Sequence, residues 1–401
     1  MKTIIFLTRE FPLPGGRIGF TKDIIENLKN EFNFKIITFD MSSEKKEETS
    51  FDPREDYGAE VIKIKKRYKY HNLNLMHFFI KSYKILKKLK KKNEVDLVIG
   101  TGLSGLGGII FAKNNKISSI FNTSGLRGRN INECINYDIK NEEEKESTFK
   151  LTNYPRFALN YLVDHLCLIL ADYTTIPTHH LKEQIQKNKP KLYNKIKNKL
   201  KIIIEGLNIH KIEKNLDKEK LLEEYKINTD KVILFSRIED EKFSKELFKT
   251  VKKEISDSTI ISIDAARTTM RIDRGKGMEY TDMGPVRAMA ISDVMFCIPG
   301  SEPHSTLVLE ALYNKCPTFV SNVGWLRYEF QNFPNFIVKE LKIDEIITTI
   351  KEFYKSKEEF KEKSKEVMKK VLEKNNFDIT SEEYKKFFRE LTSQNEHTQD
   401  I

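Results

Sequence analysis

Short β-branched and aromatic runs alternate with longer stretches of helical spacing along most of the chain. KTIIFLT, FKIITFD, VDLVIGTG, ISSIFNTS and DYTTIPT read as strands, and TKDIIENLKNEF and MHFFIKSYKILKKLKK read as helices. Such alternation implies right-handed crossovers and a parallel sheet covered on both sides. The pattern pauses after LKIIIEGLNI in a lysine- and glutamate-rich helical stretch, then restarts with KVILFSRI, STIISIDA, SDVMFCIPG and CPTFVSN. Two α/β units are therefore expected, with a boundary between 206 and 230 and no Gly/Ser linker there, so that the halves pack closely over a cleft. The segment FDITSEEYKKFFREL offers Thr380 or Ser381 as caps for a closing amphipathic helix, and SQNEHTQDI reads as frayed.

Composition sharpens this only slightly. With 401 residues, 39% of them hydrophobic and 32% charged, the chain reads as a soluble two-domain protein and not a disordered or fibrous one. FALNYLVDHLCLILA is shorter than the roughly 20 residues of a spanning helix and is interrupted by Asp164 and His165, so it reads as a buried helix. MKTIIFLTREFPLPGG offers no small-residue cleavage site, which argues against a secretory signal. The four cysteines show no C-x-x-C pairing and read as free thiols of a cytoplasmic protein. A formal charge of +11 favours an anionic partner: nucleic acid, a phosphorylated small molecule or an acidic membrane.

In parallel sheets, ligands bind beyond the carboxyl ends of the strands, where helix amides point outward. Four junctions fit that rule: FPLPGGRIGFT, GTGLSGLGG, SRIEDEKF and PGSEPHSTL. In PGSEPHSTLVLEA, Pro299 and Gly300 break a strand and Ser305 or Thr306 begins a helix whose opening suits a phosphate oxygen. Glu302 stands on the turn, and Glu310 follows after seven intervening residues. A carboxylate repels phosphate, so acids beside an anion site suit the hydroxyls of a nucleotide sugar; a dipole-complementing Glu302 and a surface ion pair at Glu310 are the plainer alternative. In SRIEDEKF, Arg237 leaves a strand and Lys242 follows five residues later. A guanidinium fork and an ammonium at one strand end can clamp a diphosphate and neutralise charge that grows as its bond breaks.

The order Arg237, Lys242, Pro299, Glu302, Glu310, Ala311 and then CPTFVSNVG resembles the second domain of the GT-B-type retaining glycosyltransferases of family four. PLPGG is similar to the glycine loop of that family, ADYTTIPTHHLKEQI to its "D-x-(apolar)-S" strand and helix, and FDITSEEYKKFF to its closing helix. The resemblance covers nearly the whole chain. It implies two Rossmann-like, doubly wound parallel-sheet domains facing across a cleft: an acceptor-side domain over 1–205, a donor-binding domain over 206–376, and a segment 377–401 whose helix packs back on the first domain. It implies transfer of a sugar, of hexosyl type and with retention, from a UDP- or GDP-linked donor to a hydroxyl on a glycan or lipid-linked glycan, as in polysaccharide biosynthesis. Arg237, Lys242 and Glu302 would be catalytic, the first two on the diphosphate and Glu302 on the transferring sugar; Glu310 would hold the ribose, and Gly15, Gly16, Ser305, Thr306 and Leu307 would line the donor site. Fixed charges then serve the leaving group, and no cofactor or metal is required.

The chain also departs from that pattern. Ser124 stands where many members carry a histidine, Glu205 where an asparagine precedes glycine, and His304-Ser305 where an aromatic and a glycine are usual. Arg267, Arg271 and Arg274 replace glycines, and either read an anionic substrate or pair with neighbouring acids. His179 and His180 beside Thr178 read as a capped helix start, and GTGLSGLGG, lacking the phosphate-loop lysine, reads as close backbone packing or cleft wall. MHFFIKSYKILKKLKKK carries seven lysines and no acid; with Phe79, Tyr83 and Leu86 toward the sheet, its lysines form either a solvated face or, over 76–92, a surface for anionic lipid on the inner face of a membrane. Two other functions share the scaffold: a basic nucleic-acid-binding protein, for which no recognition motif is present, and an inactive nucleotide-sugar-binding module. Nucleic acid is not the expected partner.

Overall fold

A computed structural model of the chain describes residues 1–8, 11, 16–40, 58–68, 71–123, 154–238, 240–263, 270–275, 277–300 and 304–397. These divide into two compact units, one formed by 1–123, 154–204 and 378–397, the other by 205–377.

The first unit runs β1 (Lys2–Leu7), α1 (Gly16–Leu28), β2 (Phe32–Asp40), β3 (Ala59–Lys65), α2 (His71–Lys90), β4 (Leu97–Thr101), α3 (Leu106–Asn114), β5 (Ser118–Asn122), α4 (Tyr154–Leu170), β6 (Tyr173–Ile176), α5 (His179–Asn188), α6 (Pro190–Ile196) and β7 (Leu200–Ile202). Its seven strands are parallel in the order β3-β2-β1-β4-β5-β6-β7. Side chains alternate across the sheet. Ile5, Leu7, Ile37 and Phe39 pack on Phe78, Leu86 and Leu89 of α2 and Phe111 of α3, and the same helical layer continues through α4, α5 and α6.

The second unit runs α7 (Lys218–Glu224), β8 (Lys231–Ser236), α8 (Glu241–Glu254), β9 (Ser258–Ile263), β10 (Met270–Asp273), β11 (Met278–Thr281), α9 (Pro285–Ile291), β12 (Val294–Cys297), α10 (Thr306–Tyr313), β13 (Thr318–Ser321), α11 (Gly324–Phe330), β14 (Ile337–Val338), α12 (Ile343–Lys355) and α13 (Lys357–Lys374). The strand order is β11-β10-β9-β8-β12-β13-β14, parallel except for β10 and β11. Phe235, Phe296 and Phe319 stand opposite one another on three neighbouring strands, with ring centroids 5.5 and 5.1 Å apart. This ladder fixes the register of β8, β12 and β13, each aromatic pair contributing about 0.5–1.5 kcal/mol beyond burial. At the amino end of the same strands, buried Asp293 accepts from the Val232 amide (3.0 Å), Lys218 (3.1 Å) and Lys357 (2.8 Å). Burial alone would raise its pKa, yet the Lys357 hydrogen bond, the Val232 amide and Lys218 hold it below its ordinary value.

The last helix, α14 (Phe377–His397), covers the first sheet on the face opposite α2. Phe388 meets Phe32 edge-on at 5.7 Å, Phe387 meets Tyr173 at 5.2 Å, and Tyr384 meets Phe20 of α1 at 5.8 Å. Thr380 and Ser381 are not its caps. The chain is pinned just before the helix by a bridge between Leu207 and Asn376, so the helix opens at Phe377 and both hydroxyls lie inside it. There Thr380 donates to the Ile204 carbonyl (2.7 Å) and Ser381 accepts from Asn27 (2.5 Å). The end expected to fray is helical as far as His397.

Two further expectations change. The buried line of α2 is Leu75, Phe78, Ser82, Leu86 and Leu89, while Phe79 and Tyr83 flank it half-buried. Small Ser82 is needed because Gly107 of α3 crosses there: a Cβ on Gly107 would sit 2.6 Å from the Ser82 hydroxyl and 2.8 Å from the Phe79 carbonyl. GTGLSGLGG is thus a close-packing segment, as its composition suggested. Strands β10 and β11 form an antiparallel hairpin, closed where Asp273 accepts from the amides of Gly275 (2.7 Å) and Gly277 (3.1 Å).

Candidate functional site

Four neighbouring strands of the second unit converge on one edge. The Arg237 amide donates to the Ile263 carbonyl at the end of β9 (3.4 Å), the Ile298 amide donates to Ser236 at the end of β8 (3.3 Å), and the Ser321 hydroxyl at the end of β13 donates to the Pro299 carbonyl (2.9 Å). The chain proceeds from β8 to β9 on one side and places β12 on the other. The gap between β8 and β12 is therefore where the strand order reverses, the place where crossovers diverge and leave a crevice.

Arg237 flanks that crevice in a left-handed conformation, φ +62°. Among the described residues, five of the six other non-glycine residues with positive φ, Asn93, Lys116, Lys226, Asp257 and Lys315, lie just beyond helix ends, where such a turn is routine. Arg237 instead follows a strand directly and is half-buried. A side chain there is disfavoured by roughly 1–2 kcal/mol, so the surrounding structure must hold it. Lys242 is exposed in the first turn of α8, whose cap is Asp240, accepting from the Phe243 amide at 2.8 Å.

On the other side of the crevice, Ser305 is the N-cap residue of α10 and is buried, and Thr306 is the first helical residue. The first internal bond runs from the Leu309 amide to the Ser305 carbonyl (3.4 Å), so the preceding amides point out of the helix opening with the positive end of its dipole. Thr306, Glu310 and Tyr313 form the half-buried strip of this helix, at spacings of four and three, while Leu307 is buried in the core. Leu307 can serve a ligand through its backbone only. Glu310 shares the Thr306 side of the helix, one turn from its opening.

Sequence reasoning missed the support beneath this turn. The His304 ring packs on the Trp325 indole at 4.7 Å, and Trp325 is buried in α11, which Gly324 opens with φ +51°. One turn on stands Glu329, whose Oε2 is buried without a hydrogen-bond partner among the described residues; burial pushes that carboxyl above its ordinary value. The signal was the spacing of Trp325 and Glu329, visible in GWLRYEF but indistinguishable there from an ordinary helix face.

The structure thus brings Arg237 and the segment leading to Ser305, Thr306 and Glu310 to adjoining strand ends, and puts Lys242 at the start of the following helix. Gly16 is the first residue of α1, at the carboxyl end of β1 in the first unit. Gly15, Glu302, Ser124 and Arg267 lie outside the described residues. The other arginines have local partners: Arg274 pairs with Glu279 (3.1 Å) and donates to the Tyr225 carbonyl (2.9 Å), and Arg271 lies over the Tyr280 ring. His179 and His180 open α5 behind Thr178, which accepts from the Leu181 amide (3.1 Å).

No protein-family model matches the chain, and no curated protein matches it. Solved structures do. Sucrose-phosphate synthase from Thermosynechococcus elongatus superposes with a TM-score of 0.72 at 14% identity, covering 98% of this chain and 100% of that one. Anabaena HepE in complex with UDP-glucose gives 0.66 at 13% identity over 97% and 100%. The catalytic domain of starch synthase IV from Arabidopsis thaliana, bound to ADP and acarbose, gives 0.66 at 10% identity over 98% and 99%. At such identities the likeness concerns the fold: two Rossmann-like, doubly wound sheets of seven strands each, the GT-B type.

Proposed function

We propose that the protein is a glycosyltransferase moving a sugar from a nucleotide-diphosphate donor to a hydroxyl acceptor. The observation that carries this reading is the meeting of Arg237 with the α10 approach at the strand-order reversal of the second unit. A cation and a helix opening on adjoining strand ends make an anion site, and Glu310 one turn further makes a hydroxyl acceptor. The similar structures that carry UDP, UDP-glucose or ADP support the choice of a nucleotide sugar.

In the mechanism that follows, Arg237 and Lys242 hold the diphosphate and neutralise the charge that develops on it as the sugar–phosphate bond lengthens. Amides at Thr306 and Leu307, with Ser305, take a phosphate oxygen; the resemblance of PLPGG to the family's glycine loop is what assigns Gly15 and Gly16 to the donor. Glu310 accepts from ribose hydroxyls, and Glu302 from the transferring sugar. The positive charge comes from side chains, so the reading calls for no cofactor or protein-bound metal. The family resemblance adds retention of configuration, a hexosyl group on UDP or GDP, and a glycan or lipid-linked glycan as acceptor in polysaccharide biosynthesis. The unpaired cysteines favour the cytoplasm, and the lysine run over 76–92 favours attachment to the inner face of an anionic membrane over a merely solvated face.

A thermal-shift panel of nucleotide sugars against oligonucleotides tests this directly. A ligand at 100 times its dissociation constant stabilises by about 2.7 kcal/mol. The expected result is a shift with a UDP- or GDP-sugar that Arg237→Ala reduces; a shift with oligonucleotide alone would replace the reading with nucleic-acid binding.

A further inference from the structure

The two faces of the first sheet carry opposite charge. Among the described side chains, helices α2 to α6 hold ten lysines against two acids, Asp164 and Glu183, and Asp164 is buried. On the opposite face, α1 and α14 hold six acids against four basic residues. Ordinary solvated helices mix the two signs, as α13 does with its ladder of Lys–Glu pairs three or four residues apart.

The basic face is also where apolar side chains stand in solvent. Of the ten large apolar residues exposed among the described residues, six lie on α2, just before it, or on α4: Tyr68, Leu73, Met76, Ile80, Leu162 and Ile169. On α2 they follow a rule. At 100° per residue, Leu73, Met76, Ile80, Lys84, Lys87 and Lys88 fall within an arc of about 120°, and all six are exposed. Because α2 follows β3, its apolar half starts at the carboxyl end of the sheet and the lysines run toward the amino end.

A duplex or an acidic protein would account for the lysines and leave three aliphatic side chains in the same line unexplained. A bilayer containing anionic lipid accounts for both. We infer that the face formed by α2 to α6 docks peripherally on such a bilayer, with Leu73, Met76 and Ile80 entering the interface and Lys84, Lys87 and Lys88 held over the headgroups. No described helix is long and apolar enough to cross a membrane, so this is attachment along the surface. The inference rests on the proposed transferase only in naming where a lipid-linked acceptor would be met.

Flotation of the full chain with phosphatidylcholine vesicles, and with an equimolar phosphatidylcholine–phosphatidylglycerol mixture, tests it without any nucleotide sugar. Wild type is expected to float with the mixed vesicles and not the neutral ones, less so in high salt. Replacing Lys84, Lys87 and Lys88 together by Gln should lower the partition coefficient about 100-fold, and replacing Leu73, Met76 and Ile80 together by Gln should lower it at least about tenfold. Lys363→Gln, Lys365→Gln and Lys369→Gln together, on exposed positions of α13, should leave it unchanged. The inference falls if wild type ignores the mixed vesicles, if either α2 variant floats like wild type, if the α13 variant loses as much, or if an oligonucleotide displaces the protein from lipid. Donor binding is read separately by thermal shift without vesicles, so failure of one leaves the other standing.

Discussion

The amide of Ile298 donates to the carbonyl of Ser236 at 3.3 Å, the last bond of the parallel pairing between β12 and β8. That bond makes Arg237 and Pro299 neighbours although 62 positions separate them in the chain. The proposed donor site depends on this adjacency, and the first prediction follows from the unusual backbone of Arg237.

Glycine adopts φ +62° without strain, so Arg237→Gly removes the guanidinium and the strain together. The Gly variant should unfold at or above the wild-type temperature, and Arg237→Ala below the Gly variant by roughly 1 kcal/mol. Both should lose transfer from a nucleotide sugar by about 100-fold or more. A Gly variant as active as wild type would remove Arg237 from the site.

Glu310 is half-buried and makes no contribution to the core, so Glu310→Ala should fold normally. If it holds hydroxyls of the donor in ground and transition states alike, KM for the nucleotide sugar should rise about tenfold, matching one or two charged hydrogen bonds, with kcat nearly kept. Steady-state kinetics at varied donor concentration reads this; a fall in kcat with KM unchanged would assign Glu310 to the transition state instead.

Glu329 gives a pH dependence with a definite sign. Burial lifts its folded pKa above the ordinary 4.5, so folding penalises the ionised form; the penalty is absent below that value and grows as pH rises past it. Glu329→Gln should therefore raise the melting temperature by a few degrees, roughly 2–4 °C, near pH 8 and leave it unchanged near pH 4. An equal shift at both pH values would show that the carboxyl does not titrate in the way its burial implies.

The phenylalanine ladder sets the register on which the site rests. Phe296→Ala should destabilise the second unit by about 3–5 kcal/mol, seen as an earlier urea transition. Because both neighbouring rings, Phe235 and Phe319, lose a partner, donor-induced stabilisation should weaken as well. Retention of full donor affinity would separate the ladder from the site.

Hydrophobic periodicity alone determined the two α/β units, the main strands and the core of each, because period-two and period-3.6 patterns are local properties of the chain. KVILFS and VMFC announce buried strands, and Thr178 announces a capped helix, within a few residues. Less was legible where partners are distant. AEVIKIK became β3 and MRID with MEYT became an antiparallel hairpin only through pairing with neighbours, and Thr380 and Ser381 looked like caps because their partners, Ile204 and Asn27, lie far away in the chain. The sequence could nominate Arg237 and Glu310 by residue type and spacing. Only the sheet order decided that β8 lies beside β12, that Arg237 takes a left-handed turn there, and that lysines spread over four helices share one face, since strand order and layer handedness arise from contacts between segments that no local pattern encodes.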